Sequence, residues 1–188
     1  SVMALDAVTG RVFWKYRHQN ADNALVCCGA NNRGVAVLND KVYMGTLDAH
    51  LVALDRINGQ LLWKAEVGDV NLAYSVTMAP LAVKDKIIVG VGGGEFGIRG
   101  YVAAFDAETG EQVWKTYTIP GPGEPNHDSW EGDDWEHGGA PVWITGSFDP
   151  EINLTYWGVG NPGPDWNAGQ RPGDNLYSDS AIALDADT

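Results

Sequence analysis

The sequence predicts an all-β protein, a propeller of four-stranded blades, and three observations carry that expectation. A short unit recurs along the chain with fixed internal spacing. The distance between copies is about one blade. Glycine and tryptophan are both over-represented, at 24 and 8 of 188 residues, as in turn-rich β proteins with aromatic anchors. The unit reads A-x-D-x-x-[TN]-G-x-x-x-W and runs from Ala4 to Trp14, from Ala53 to Trp63 and from Ala104 to Trp114. A fourth copy begins at Ala183-Leu184-Asp185 and meets Thr188 before its glycine, so the sequence reads as part of a larger propeller that starts and stops inside repeats.

Each element follows from local chemistry. A strand is expected to end at Asp, whose carboxylate caps the turn. Gly takes the positive-φ position, and a second strand leads to Trp. Between the units lies a second hairpin, marked by Asn39-Asp40-Lys41-Val42-Tyr43 and by Lys84-Asp85-Lys86-Ile87-Ile88. Two hairpins per period make four strands. The period is 49 residues from Asp6 to Asp55 and 51 from Asp55 to Asp106, but 79 from Asp106 to Asp185. The extra length falls in an aperiodic insertion at residues 120–139. Long insertions in compact repeats usually line a functional face, although the six carboxylates here read individually as solvated. The whole of residues 1–188 is expected to be one piece of a single propeller domain.

A formal charge of −13 argues against nucleic-acid binding and against docking on anionic membrane. No run approaches the roughly 18 apolar residues of a membrane span.

The only cysteines, Cys27 and Cys28, are adjacent. Neighbouring thiolates cannot readily take two corners of a zinc tetrahedron. Two readings stay open at this level: a pair of buried reduced thiols, or a vicinal disulfide forming a rigid, sulfur-faced ring. Gly92-Gly93-Gly94-Glu95-Phe96-Gly97 matches G-x-G-x-x-G, but the chain runs on into another strand instead of opening a helix, so the dinucleotide reading fails. What remains is Glu95 displayed by a glycine-rich turn. Asn161, fixed between Gly160 and Pro162, offers an amide oxygen suited to a hard cation. His18, His50, His127 and His137 fall in unrelated contexts and no G-x-S-x-G occurs, which leaves hydrolase chemistry without support.

Taken together, the repeat units, the Cys27-Cys28 pair, Gly93-Gly94-Glu95-Phe96-Gly97-Ile98-Arg99-Gly100 and Tyr156-Trp157-Gly158-Val159-Gly160-Asn161-Pro162 resemble the pyrroloquinoline quinone (PQQ)-dependent alcohol dehydrogenases, which are eight-bladed quinoprotein propellers. The resemblance spans the chain. It implies that Cys27 and Cys28 form a disulfide ring against one face of PQQ and that Trp143 closes the other. It implies cofactor contacts from Arg33, Thr77, Gly92, Gly93 and Gly94, and metal ligation of Ca2+ or a lanthanide ion by Glu95 and Asn161. Where methanol-type members often have Ser and Ala, the glycines here leave only backbone donors; the Gly139-Ala140-Pro141-Val142-Trp143 setting is more like the ethanol-type branch. The implied reaction oxidises a small primary alcohol to the aldehyde, with a c-type cytochrome accepting the electrons, in the periplasm; a homodimer is an assembly the resemblance admits. The family's general-base Asp would lie beyond Thr188, so no catalytic residue is assigned within the chain. Two other readings share the repeat. A non-catalytic scaffold of the outer-membrane assembly type needs neither the Cys pair nor Glu95 and Asn161, and the vicinal cysteines speak against a PQQ sugar dehydrogenase.

Overall fold

The computed structural model describes all 188 residues and contains thirteen strands. A two-stranded sheet, β1 (Val2–Leu5) and β2 (Val12–Tyr16), is followed by two four-stranded antiparallel meanders. The first is β3 (Ala36–Leu38), β4 (Lys41–Gly45), β5 (His50–Asp55) and β6 (Leu61–Glu66); the second is β7 (Leu81–Val83), β8 (Lys86–Gly90), β9 (Tyr101–Asp106) and β10 (Gln112–Tyr117). A three-stranded sheet of β11 (Ser147–Asp149), β12 (Leu154–Gly158) and β13 (Ala181–Asp185) closes the series. These sheets are the blades that the repeat predicts. No helix is long and apolar enough to cross a membrane.

The turns form as the unit requires. Asp6 Oδ1 accepts from the N–H groups of Val8 and Thr9 at 3.0 and 2.8 Å, and Asp106 Oδ1 from those of Glu108 and Thr109 at 2.9 and 2.8 Å. The backbone bond from Thr9 holds the Asp6 carboxyl below the usual range, and that from Thr109 does the same for Asp106. Each Trp faces the small Ala of its own unit across the hairpin, Ala4 with Trp14, Ala53 with Trp63 and Ala104 with Trp114. Its indole then reaches the next unit. Nε1 of Trp14 donates to Arg56 O at 3.0 Å, that of Trp63 to Ala107 O at 3.2 Å, and that of Trp114 to Ala186 O at 3.2 Å. The repeat glycine therefore has two reasons to be glycine. Gly59 and Gly110 have φ of +72° and +77°, and a Cβ on either would lie 2.5 or 2.7 Å from the Trp ring of the preceding unit.

Meander topology decides where function can sit. The starts of the first and third strands and the ends of the second and fourth lie at one end of a blade; the tight Asp-to-Gly turns lie at the other. The longer segments 17–35, 67–80, 91–100, 118–146 and 159–180 all leave or enter strands at the first end. They form one loop-rich face on a buried scaffold, in which β4 is buried throughout and β5, β8 and β9 over most of their lengths.

The carboxylates of segment 120–139 are exposed, apart from the half-buried Asp134, as their individual reading expects, yet the segment itself is packed. It holds two single-turn 3-10 helices, His127–Ser129 and Asp134–Glu136. Trp130 is buried in the main core and donates to Leu176 O at 2.6 Å, and Glu124 pairs with Arg99 at 3.3 Å. The insertion is tied down by aromatic and cationic contacts that periodicity does not reveal. Two of the histidines depart from the sequence reading: His18 and His50, in unrelated sequence contexts, both face the buried Asp48, at 2.8 and 3.6 Å. They come from a loop and a strand start 32 residues apart, a separation no local pattern bridges.

Candidate cofactor and metal site

A cavity of about 190 Å³ opens on the loop-rich face. Its lining gathers Cys27, Cys28, Arg33, Thr77, Gly92, Glu95, Trp143 and Asn161, residues spread over 135 positions of sequence. Gly93 and Gly94 do not line it. They stand behind the wall: a Cβ on Gly93 would strike Ala73 O, and one on Gly94 would lie 2.8 Å from the Pro141 ring. Their work is to let the Glu95 turn pack closely. Gly160, beside Asn161, meets the same proline ring, with a Cβ placed 3.1 Å from it, so Pro141 is the wedge on which both oxygen-bearing loops rest.

Cys27 and Cys28 are joined as a disulfide. Cys28 is exposed and Cys27 half-buried, so the alternative of two buried thiols does not hold. The Cys28 residue has φ +66°, which turns the chain sharply at the ring, and Asn31 Nδ2 donates to Cys28 O at 3.0 Å. Glu95 approaches this ring so closely that its carboxylate oxygen and both sulfurs lie within 4.8 Å of one another. Disulfide sulfurs carry no thiolate charge, so the group is not a soft-metal site.

Arg33 stands over the Trp143 ring, its guanidinium carbon 4.9 Å from the centroid. The Arg33 backbone N–H donates to Thr77 O at 3.0 Å, and its Nη1 contacts the same oxygen at 3.4 Å. That weak side-chain bond leaves most of the guanidinium fork for an anionic partner. Ser75 and Thr77, two residues apart in the segment before β7, both bring a hydroxyl to the cavity beside Gly92. A bridge between Ser75 and Gly92 brings them to the glycine turn. A Cβ on Gly92 would lie 2.9 Å from Ser75 Oγ and 3.8 Å from Thr77 Oγ1. The hydroxyl that Gly92 lacks is thus supplied by Ser75, a lining residue that sequence reasoning missed although it lies two residues from Thr77. Asn31 and Val26 are further lining residues beside the cysteines.

The donor set is hard. Glu95 joins none of the chain's ion pairs. The Nδ2 of Asn161 donates to Asp165 Oδ1 at 2.7 Å and contacts Pro162 O at 3.3 Å, which leaves Oδ1 as the free atom of the amide. A carboxylate and an amide oxygen suit calcium or a lanthanide. A guanidinium and two hydroxyls suit an anionic, acceptor-rich partner, and sulfur and indole suit a flat one. The residues present therefore fit a planar acidic quinone with a hard cation.

A blade scaffold with such a cavity defines a β-propeller whose pocket is suited to a flat ligand and an oxygen-bound cation. The model of the PQQ glucose/ethanol/alcohol dehydrogenase β-propeller domain matches residues 1–188, and the chain belongs to that family. It is 43% identical over 202 residues to the quinoprotein alcohol dehydrogenase PedH of Pseudomonas putida, covering 99% of this chain and 34% of that protein. It is 44% identical over 203 residues to the quinohemoprotein alcohol dehydrogenase ADH IIB of Pseudomonas putida, covering all of this chain and 29% of that one. A solved europium-containing methanol dehydrogenase superposes with a TM-score of 0.92 at 40% identity, over 99% of this chain and 36% of that one. The chain spans about a third of the length of these relatives.

Proposed function

We propose that these 188 residues are part of a single PQQ-binding propeller domain, with an insertion at 120–139, in an enzyme that oxidises primary alcohols to aldehydes. Bound PQQ would supply the two-electron acceptor, and its ion the Lewis acidity that polarises the quinone. The chain's own residues divide the remaining work. The Cys27-Cys28 ring and the Trp143 indole offer apolar, polarisable faces to a flat ring system. Arg33, with the hydroxyls of Ser75 and Thr77, holds the carboxylates and fixes in-plane orientation. Gly92 keeps the wall thin beside these hydroxyls. Glu95 and Asn161 hold Ca2+ or a lanthanide ion. The proton acceptor for the alcohol is an Asp of the longer protein, following the resemblance.

A c-type cytochrome is the proposed electron acceptor and the periplasm the proposed location. The quinohemoprotein relative supports the first, and a disulfide, which persists in oxidising compartments, supports the second. One observation carries the reading: eight residues from five separate segments converge on one cavity with the donor types that a planar acidic quinone and a hard cation need.

The test is dye-linked alcohol oxidation by the full-length protein after reconstitution with PQQ and either Ca2+ or La3+. Activity should require both components and fall at least about 100-fold in Glu95→Ala. Turnover without PQQ, or an unchanged Glu95→Ala rate, would overturn the assignment.

A further inference from the structure

The Asn161 backbone is fixed from below. Its carbonyl accepts from Ala140 N at 3.0 Å, Gly160 N donates to Pro141 O at 2.7 Å and Gly163 N donates to Gly138 O at 2.8 Å. These bonds place Cα but not the carboxamide, which can turn about its last torsion and exchange oxygen for NH2 at nearly no steric cost. Only the oxygen can serve a cation.

Asp165 settles the choice. An ionised carboxylate only accepts, so at 2.7 Å it takes the NH2 side of Asn161 and would repel the oxygen. Asp165 is half-buried, makes no ion pair and has no other hydrogen bond from its side chain. The nearby Arg171 does not compete for it, since its Nη1 donates to Asn175 Oδ1 at 2.9 Å and its Nε to Pro164 O at 3.3 Å. Asp165 is also absent from the cavity lining, so it does not reach a bound ion itself. We propose that Asp165 is a positioning residue, resting on the functional reading above: it locks the Asn161 amide with Oδ1 toward the cavity and so sets the affinity of the site for a hard cation.

The experiment is a terbium(III) titration of the full-length, PQQ-loaded protein, read by tryptophan-sensitised luminescence. Asp165→Ala should weaken terbium binding about 10- to 100-fold, the usual effect of losing a residue that orients a ligand. Asp165→Asn should lose affinity as well, because its own carboxamide turns as freely as that of Asn161 and can donate to Asn161 Oδ1 as readily as it accepts from Nδ2. The decisive arm uses Asn161→Asp as background. A carboxylate offers two equivalent oxygens and has no wrong face, so adding Asp165→Ala there should cost no affinity, a result that general loosening of the loop would not produce. The proposal is overturned if Asp165→Ala binds like the parent, if Asp165→Asn binds like the parent, or if Asp165→Ala weakens binding equally in both backgrounds. A parent protein that binds no terbium would overturn the functional reading itself, and this proposal with it.

Discussion

At the scale of single residues, the Asp48 carboxylate is held by three partners. Thr46 Oγ1 donates to it at 2.6 Å, Ala21 N at 3.2 Å, and His18 Nε2 lies 2.8 Å away. Burial opposes its charge, but the Thr46 and His18 bonds outweigh burial and hold the carboxyl at about 2. The sign then follows. A group depressed on folding contributes stability above its unfolded pKa, near 3.9, and loses it as pH falls through the folded value. Urea unfolding of the full-length protein at pH 5 and at pH 2 should therefore lose about 2 kcal/mol through Asp48. Asp48→Asn should be less stable at pH 5 and show a correspondingly smaller drop. The exposed Asp187, also near 2, titrates alike in both proteins, so the difference isolates Asp48. An equal drop in the two would refute the account.

At the scale of elements, segment 120–139 behaves as packed structure because Arg99 reaches into it from the turn before β9. Its guanidinium carbon lies 3.8 Å from the Tyr117 ring centroid and 4.7 Å from that of Trp135. Nε and Nη2 both donate to Ile119 O, at 2.9 and 2.6 Å. A planar fork between two rings is arginine's geometry, not lysine's. Arg99→Lys should keep the charge, lose the clamp, and speed proteolytic cleavage within 120–139 about tenfold under native conditions, since hydrogen bonds to charged groups contribute roughly 1.5 to 3 kcal/mol. Unchanged cleavage would place the ordering of the insertion with Trp130 instead. The contrast with the hairpins is physical. Asp-to-Gly turns are legible because donor and acceptor lie two or three residues apart, whereas the partners of this insertion are Arg99 on one side and Leu176 on the other.

At the scale of the whole molecule, the repeat was readable because it satisfies a local turn and a contact with the next copy at once. The same spacing brings Trp63 back to Ala107 and Gly110. The candidate site was not readable from residue types alone: Glu95 and Asn161 look like ordinary turn residues, and only the motif resemblance grouped them. Ser75 and Asp165 escaped because one is seen through a bridge to Gly92 and the other through an amide. Blade cohesion gives a test of the two-fold role of the repeat glycine. Gly110→Ala must strain a left-handed backbone, about 1 to 2 kcal/mol, and also push a methyl group against the Trp63 ring, an overpacking cost of about 1 to 3 kcal/mol. Trp63→Ala removes the ring and carries its own large cost. In that background, however, only the backbone strain should remain for Gly110→Ala. Denaturant midpoints for the four proteins of this cycle should give a coupling of about 1 to 3 kcal/mol between the two sites. A Gly110→Ala cost that is identical with and without Trp63 would mean that glycine is needed for its dihedral alone, and that the blades are joined by the indole hydrogen bond and surrounding packing without help from a bare backbone surface.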